Sequence, residues 1–118
     1  MQTSSERCLF CRIASGAINA KKVYEDDATI AFEDINPQAP THVLVIPRKH
    51  IASLDDMSES DSVIVGATLA RAAAIARDLH LNSDGYRLIV NCGEAAGQTV
   101  FHIHFHLLGG RVFGWPPG

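Results

Sequence analysis

Apolar and polar positions along the chain follow two different periods, and the switches between them predict the order of elements. Leu9 and Ile13, with Phe10 beside them, stand at helical spacing within residues 7–15, and Gly16 follows where a left-handed C-terminal cap belongs, so one short helix is expected. Lys22–Tyr24 and Thr29–Phe32 are β-branched and aromatic runs separated by Glu25-Asp26-Asp27, whose short side chains suit the turn of an antiparallel hairpin. The two prolines of Asn36-Pro37-Gln38-Ala39-Pro40 withhold ladder donors, so extended structure resumes only at Thr41–Ile46. Val43, Leu44, Val45 and Ile46 make that strand apolar on both faces, and Pro47-Arg48-Lys49 closes it.

Asp61–Leu81 carries the clearest helical pattern. Ser60 or Asp61 can cap it, and Val65, Leu69, Ala72, Ala76 and Leu79 fall on one stripe that is expected to be buried. Asn82-Ser83-Asp84-Gly85 is a stop signal, after which Tyr86–Val90 reads as a strand, Cys92–Gln98 as a glycine-bearing loop, and Val100–Leu108 as a last strand. With neither repeat nor linker, the order helix, β, β, β, long helix, β, β predicts a single antiparallel α+β domain over residues 1–118, with 109–118 as a C-terminal tail.

Composition narrows this picture without changing it. A chain of 118 residues that is 47% apolar can build one core without disulfide or metal staples. Its formal net charge of -3, with no block of like charges, makes a duplex nucleic acid or an anionic membrane surface an unexpected partner. No apolar stretch approaches the ~20 residues that span a bilayer, and Met1–Arg12 has no run of signal-peptide length, so a protein kept in the cytoplasm is expected. Three cysteines, Cys8, Cys11 and Cys92, are too few for a disulfide framework and fit a reducing compartment. Cys92 reads as a packed thiol. His80 reads as a favourable partner of the helix dipole, and Arg71, Arg77 and Asp78 as a solvated face.

The candidate chemistry lies in Phe101-His102-Ile103-His104-Phe105-His106-Leu107. Strand side chains point to opposite faces in turn, so His102, His104 and His106 are expected on one face, with Ile103, Phe105 and Leu107 anchoring the other. At ~3.3 Å per residue, neighbouring histidines stand about 6.6 Å apart and the outer pair about 13 Å. Burying three uncommitted imidazoles has a desolvation cost that only a function offsets. Imidazoles poised near neutral pH can serve as nucleophile, proton carrier and donor to an anion. The preceding Gly93-Glu94-Ala95-Ala96-Gly97-Gln98-Thr99 adds glycines whose amides can approach a phosphate closely, which places Gln98 and Thr99 near the reacting atom.

The run Gly97-Gln98-Thr99-Val100-Phe101-His102-Ile103-His104-Phe105-His106-Leu107-Leu108 resembles the motif of the histidine triad family. Ala31-Phe32-Glu33-Asp34-Ile35-Asn36-Pro37-Gln38-Ala39-Pro40-Thr41-His42 and the end of the chain, Gly109-Gly110-Arg111 through Trp115-Pro116-Pro117-Gly118, resemble its Hint branch. That resemblance implies a five-stranded antiparallel sheet with two helices, and a homodimer whose sheets join. It also implies hydrolysis of purine nucleoside phosphoramidates, such as AMP bonded to an amine, through a nucleotidyl-histidine intermediate and with no cofactor required for catalysis. By motif position, His104 is the nucleophile and His102 and His106 flank it. His106 and the amides near Gln98 and Thr99 donate to the phosphate, beside which Gly97 and Asn91 lie, and His42 completes the proton network. Asp34 accepts hydrogen bonds from the ribose hydroxyls, while Phe10, Ile13, Ile18, Phe32 and Ile35 resemble the apolar base pocket. Trp115 resembles the segment that reaches towards the partner's active site. Thr99 stands where the family usually has Ser; it keeps the hydroxyl but adds a methyl that restricts χ1 beside the leaving group.

Cys8 and Cys11, one helical turn apart, suit a tetrahedral structural zinc site if His50 and His102 supply the remaining ligands. Two other readings of the histidine row stay open: a metal-dependent hydrolase, because His-x-His on a strand is a common half-site for zinc or iron, and a non-catalytic nucleotide sensor using the same pocket.

Overall fold

A single aspartate shapes the first hairpin. Asp26 Oδ1 accepts from the backbone N–H groups of Ala28 and Thr29 at 2.9 and 2.8 Å, and its Oδ2 accepts from the Tyr24 hydroxyl at 2.7 Å. The computed structural model describes residues 7–118; residues 1–6 of the expected domain lie outside them. In chain order the elements are α1 (Leu9–Ala14), β1 (Lys22–Glu25), β2 (Thr29–Glu33), β3 (Thr41–Pro47), α2 (Ser62–Asp78), β4 (Tyr86–Ile89) and β5 (Phe105–Gly109). Short 3-10 turns lie at Leu54–Asp56, Glu59–Asp61 and Glu94–Ala96. The strands form one antiparallel sheet in the order β1-β2-β3-β5-β4, which is the predicted α+β architecture.

β3 is apolar on both faces because both faces are covered. On one, Ala31, Val43, Val45 and Leu107 pack against Ala72, Ile75 and Ala76 of α2. On the other, Ile30, Phe32, Leu44 and Ile46 meet Phe10 and Ile13 of α1. The functional residues belong to the α1 side.

Four expectations need correction. The buried face of α2 is Thr68, Ala72, Ile75 and Ala76, whereas Leu69 and Leu79 of the expected stripe are 46% and 41% exposed. Close approach of helix to sheet selects small side chains, and the Thr68 hydroxyl enters the core satisfied, donating to the Ile64 carbonyl at 2.8 Å. α2 also ends at Asp78, three residues before the expected Leu81. His80 takes a left-handed φ of 60°, and the N–H groups of His80 and Leu81 donate to the Arg77 and Ala76 carbonyls at 3.0 and 2.9 Å, a Schellman ending built without glycine. Arg77 and Asp78 are exposed as expected, but Arg71 is half-buried, with its guanidinium 4.1 Å over the Tyr24 ring. Cys92 is exposed, not packed.

The correction that matters most for the site concerns β5, which begins at Phe105 and not at Val100. Phe101–His104 lies outside the ladder, held by the Ile103 N–H donating to the Ile51 carbonyl at 2.7 Å. No helix among the described residues is long and apolar enough to cross a membrane.

The relocated α2 stripe predicts a clear contrast. Ile75→Ala, at a residue 3% exposed, should lower the unfolding free energy by about 2–5 kcal/mol, and Leu79→Ala by less than about 1 kcal/mol, as read by urea denaturation. Equal losses would contradict the observed burial.

Candidate active site

The β3–β5 register opposes Leu44 to His106 and His42 to Leu108, which makes His42 and His106 diagonal neighbours on the α1 side of the sheet. His42 Nε2 lies 2.9 Å from His106 Nδ1. Which nitrogen carries each proton follows from the partners. The backbone N–H of Gln38 donates to His42 Nδ1 at 3.0 Å, so neutral His42 carries its proton on Nε2 and donates it to His106 Nδ1. His106 therefore carries its own proton on Nε2, a buried atom with no hydrogen-bond partner among the described residues.

His104 is polarised in the opposite sense. Its Nδ1–H donates to the backbone carbonyl of His102 at 2.7 Å, an atom that can only accept, so Nε2 keeps a free lone pair. The edge contact of Phe10, with ring centroids 5.0 Å apart at 89°, and the His106 ring at 4.9 Å hold the imidazole from two sides.

His104 and His106 face a cavity of about 610 Å³. Its wall includes Phe10, Ile13, Ile18, Phe32 and Leu44, together with Asp34, Ile35, Thr99 and Val100. An apolar chamber with a few convergent polar groups, of a volume suited to a small organic ligand, is what a binding site for a nucleotide-sized molecule requires. Asp34 Oδ1 accepts from the Asn36 N–H at 2.8 Å, and its Oδ2 lies 3.5 Å from His42 Nε2.

Burial keeps these imidazoles neutral. Desolvation lowers His106 to about 4, helped by the neighbouring His104 and His42 and opposed by Asp34. Desolvation also depresses His42, opposed by Asp34, and His104, opposed by the His102 carbonyl and Asp34.

Several expected site residues stand elsewhere. His102 is 0% exposed and does not line the cavity: its Nε2–H donates to the Pro47 carbonyl at 2.7 Å, and its Nδ1 lies 3.4 Å from both Cys8 Sγ and Cys11 Sγ. The three imidazoles thus do not form one row facing one ligand, because leaving the ladder at Phe105 lets His102 turn towards the cysteines. The Gln98 side chain braces its own loop, accepting from the Gly93 N–H at 2.9 Å and donating to the Ala52 and Val100 carbonyls at 2.8 and 3.1 Å. Its backbone N–H is also committed, to the Gly93 carbonyl at 3.1 Å. Asn91 and Gly97 neighbour each other and line no part of the cavity, and Gly97 supplies the left-handed φ of 96° that the loop needs. Trp115 is 84% exposed and does not reach this chain's cavity. Leu9, Asn19, Ala20, Lys21 and Glu33 complete the wall without having been singled out by sequence.

Cys8, Cys11, His50 and His102 form a second constellation, with ligand atoms all within 4.8 Å of one another. Cys11 Sγ lies 3.3 Å from His50 Nδ1. A tetrahedral zinc with ordinary Zn–S and Zn–N bonds has an S···N edge of about 3.5 Å, so the donor set fits the ion. The Pro47 carbonyl that fixes the His102 tautomer is the kind of outer partner that metal-ligating histidines keep. Burial and the neighbouring Cys8 push the Cys11 thiol up to about 12, so a cation in the cage would have to displace its proton.

A paired imidazole system beside an apolar cavity, on a five-stranded antiparallel sheet, defines a histidine-based ligand-binding or catalytic domain. The HIT domain model matches residues 15–113, and the chain belongs to that family. A HIT family hydrolase from Legionella pneumophila superposes with a TM-score of 0.92 at 52% identity, covering 94% of this chain and 99% of that one. A histidine triad protein from Clostridium difficile gives 0.89 at 42% identity, covering 97% of both chains. An uncharacterized HIT-like protein of Synechocystis is 47% identical over 114 residues, 97% of this chain and 99% of its own length. The fold and the family are those of HIT hydrolase-like proteins.

The neutral His106 has a consequence for stability. An unfolded histidine takes up a proton near its ordinary 6.5, which folded His106 refuses until about 4, so stability falls as pH drops through that window. Urea midpoints should decline from pH 7 to 5, and less steeply in His106→Gln. Identical slopes in the two proteins would show that His106 titrates as an exposed group.

Proposed function

We propose that the protein hydrolyses purine nucleoside phosphoramidates through a covalent nucleotidyl-histidine intermediate. The observation that carries this reading is the opposed polarity of two adjacent imidazoles at the cavity: a lone pair on His104 Nε2 beside an unpartnered Nε2–H on His106. A nucleophile next to a preorganised anion donor is the pair that attack on a phosphorus centre needs.

In this scheme the base occupies the chamber of Phe10, Ile13, Ile18 and Phe32, and Asp34 accepts from the ribose hydroxyls. His104 Nε2 forms a bond to phosphorus while the P–N bond breaks, and His106 Nε2–H donates to a phosphate oxygen whose charge grows. Thr99, exposed on the same wall, passes a proton to the departing nitrogen. Water then attacks phosphorus and its proton goes back to the Thr99 oxygen, the Nε2–P bond breaks and the nucleoside monophosphate leaves. Behind His106, the His42 Nε2–H donates to His106 Nδ1, with Asp34 Oδ2 3.5 Å from the same His42 nitrogen, which keeps the His106 proton on Nε2.

A homodimer completes the site. β4 is a sheet edge whose residues Tyr86–Ile89 are all half-buried, a surface on which a second copy can continue the sheet, and the exposed Trp115 then reaches the partner's cavity. In the cage, Cys8, Cys11, His50 and His102 would hold zinc, which would supply a structural cross-link and make no bond to the substrate.

Two measurements test these assignments. His104→Asn should lower AMP-amine hydrolysis by about 10³-fold or more while AMP binding stays within about threefold, and mass spectrometry of alkali-quenched wild type should show a nucleotidyl adduct on His104. Hydrolysis that persists in the variant would remove the nucleophile assignment. Protein purified without chelator should carry about one zinc per chain, and metal-free protein would remove the zinc assignment.

A further inference from the structure

We infer that the cysteine–histidine cage is a positioning device for the nucleophile, an inference that rests on His104 acting as proposed above. His102 serves both sites. Its ring Nδ1 faces Cys8 and Cys11, while its backbone carbonyl accepts the Nδ1–H of His104 at 2.7 Å. Closing the cage on a zinc ion therefore fixes the peptide that sets the angle of His104.

The surroundings make this coupling matter. Had Phe101–His104 been part of β5, ladder hydrogen bonds would hold the carbonyl in place, but the segment lies outside the sheet. Its anchors are the Ile103 N–H to the Ile51 carbonyl and the His102 Nε2–H to the Pro47 carbonyl, each 2.7 Å. Ile51 adjoins His50, a ligand of the same cage, so one of these anchors is itself tied to it. Thiol–imidazole contacts of 3.3 to 3.4 Å without a cation are weak hydrogen bonds, whereas a metal cross-link joins α1, the loop after β3 and the 101–104 segment at one point. Phe10 of α1, between the two cysteines in sequence, packs edge-on to both rings, with centroids 6.1 Å from His102 and 5.0 Å from His104.

The base chamber does not share this dependence. Phe10 and Ile13 hold α1 to Ile30, Phe32 and Leu44 through apolar packing that needs no cation. Opening the cage should thus disorder the nucleophile more than the nucleotide pocket, and lower kcat with little change in affinity.

The test compares zinc-loaded protein, chelator-stripped protein and two cage variants, Cys8→Ala/Cys11→Ala and His50→Gln. The first readout is the His104 Nδ1 proton, observed by NMR in nucleotide-free protein. It should be protected from solvent exchange when zinc is bound and exchange at least about tenfold faster in the stripped and variant proteins; adding zinc should restore protection only to the stripped wild type. AMP affinity should move by less than about threefold, while kcat for an AMP-amine falls about 10- to 100-fold. Unchanged proton protection on zinc removal, or a matching loss of AMP affinity, would overturn the inference. If the phosphoramidase reading fails, no form hydrolyses the substrate, and proton protection alone decides. Should stripping unfold the wild type, His50→Gln, which keeps α1 and its cysteines intact, gives the same comparison.

Discussion

A neutral imidazole has one lone pair, whose place is fixed only when one of the two nitrogens is committed, and the site depends on main-chain atoms making that commitment. The His102 carbonyl takes the proton side of His104, and the Gln38 N–H takes the lone-pair side of His42, which passes the opposite polarity on to His106. Carbonyl and amide cannot exchange roles, so the direction of each ring is fixed by backbone chemistry. Burial then keeps the rings neutral, since the charged forms would lose hydration that Asp34 and the His102 carbonyl replace only in part.

That arrangement needs both regular and irregular backbone. The β3–β5 register brings His42 beside His106, and nothing but a ladder would hold that pair so closely in register. The His104 contact needs the reverse: a residue's own ring can fold back to the carbonyl two positions earlier because the chain before Phe105 has left the sheet. The free lone pair and the free donor meet where these two kinds of backbone join. α1 closes the same space with Phe10, which serves the apolar wall and steadies the His104 ring at once.

Much of this was legible in the sequence. Strand alternation put histidines 104 and 106 on one side, the apolar run 43–46 announced a central strand covered on both faces, and the Cys8–Cys11 spacing picked out the second constellation. What escaped depends on main-chain acceptors and on local departures from periodicity. No side-chain pattern reveals that the Pro47 and Ile51 carbonyls capture the segment before β5, so a strand beginning at Val100 was the natural reading, and His102 was counted with the catalytic row. The expected α2 stripe was right in Ala72 and Ala76 but took Leu69 and Leu79 in place of Thr68 and Ile75, and the helix end was hidden because His80 takes a conformation usually given to glycine. Gln98 sits in the expected loop, but its side-chain polar atoms are spent on the backbone of Gly93, Ala52 and Val100.

The most direct test of this account is the protonation pattern of the histidines, read from long-range proton–nitrogen correlation spectra of labelled protein at neutral pH. His104 should appear as the neutral Nδ1–H form, with His42 and His106 as neutral Nε2–H forms. A proton on His104 Nε2, or a charged His104 ring, would leave no lone pair at the cavity and would contradict the account.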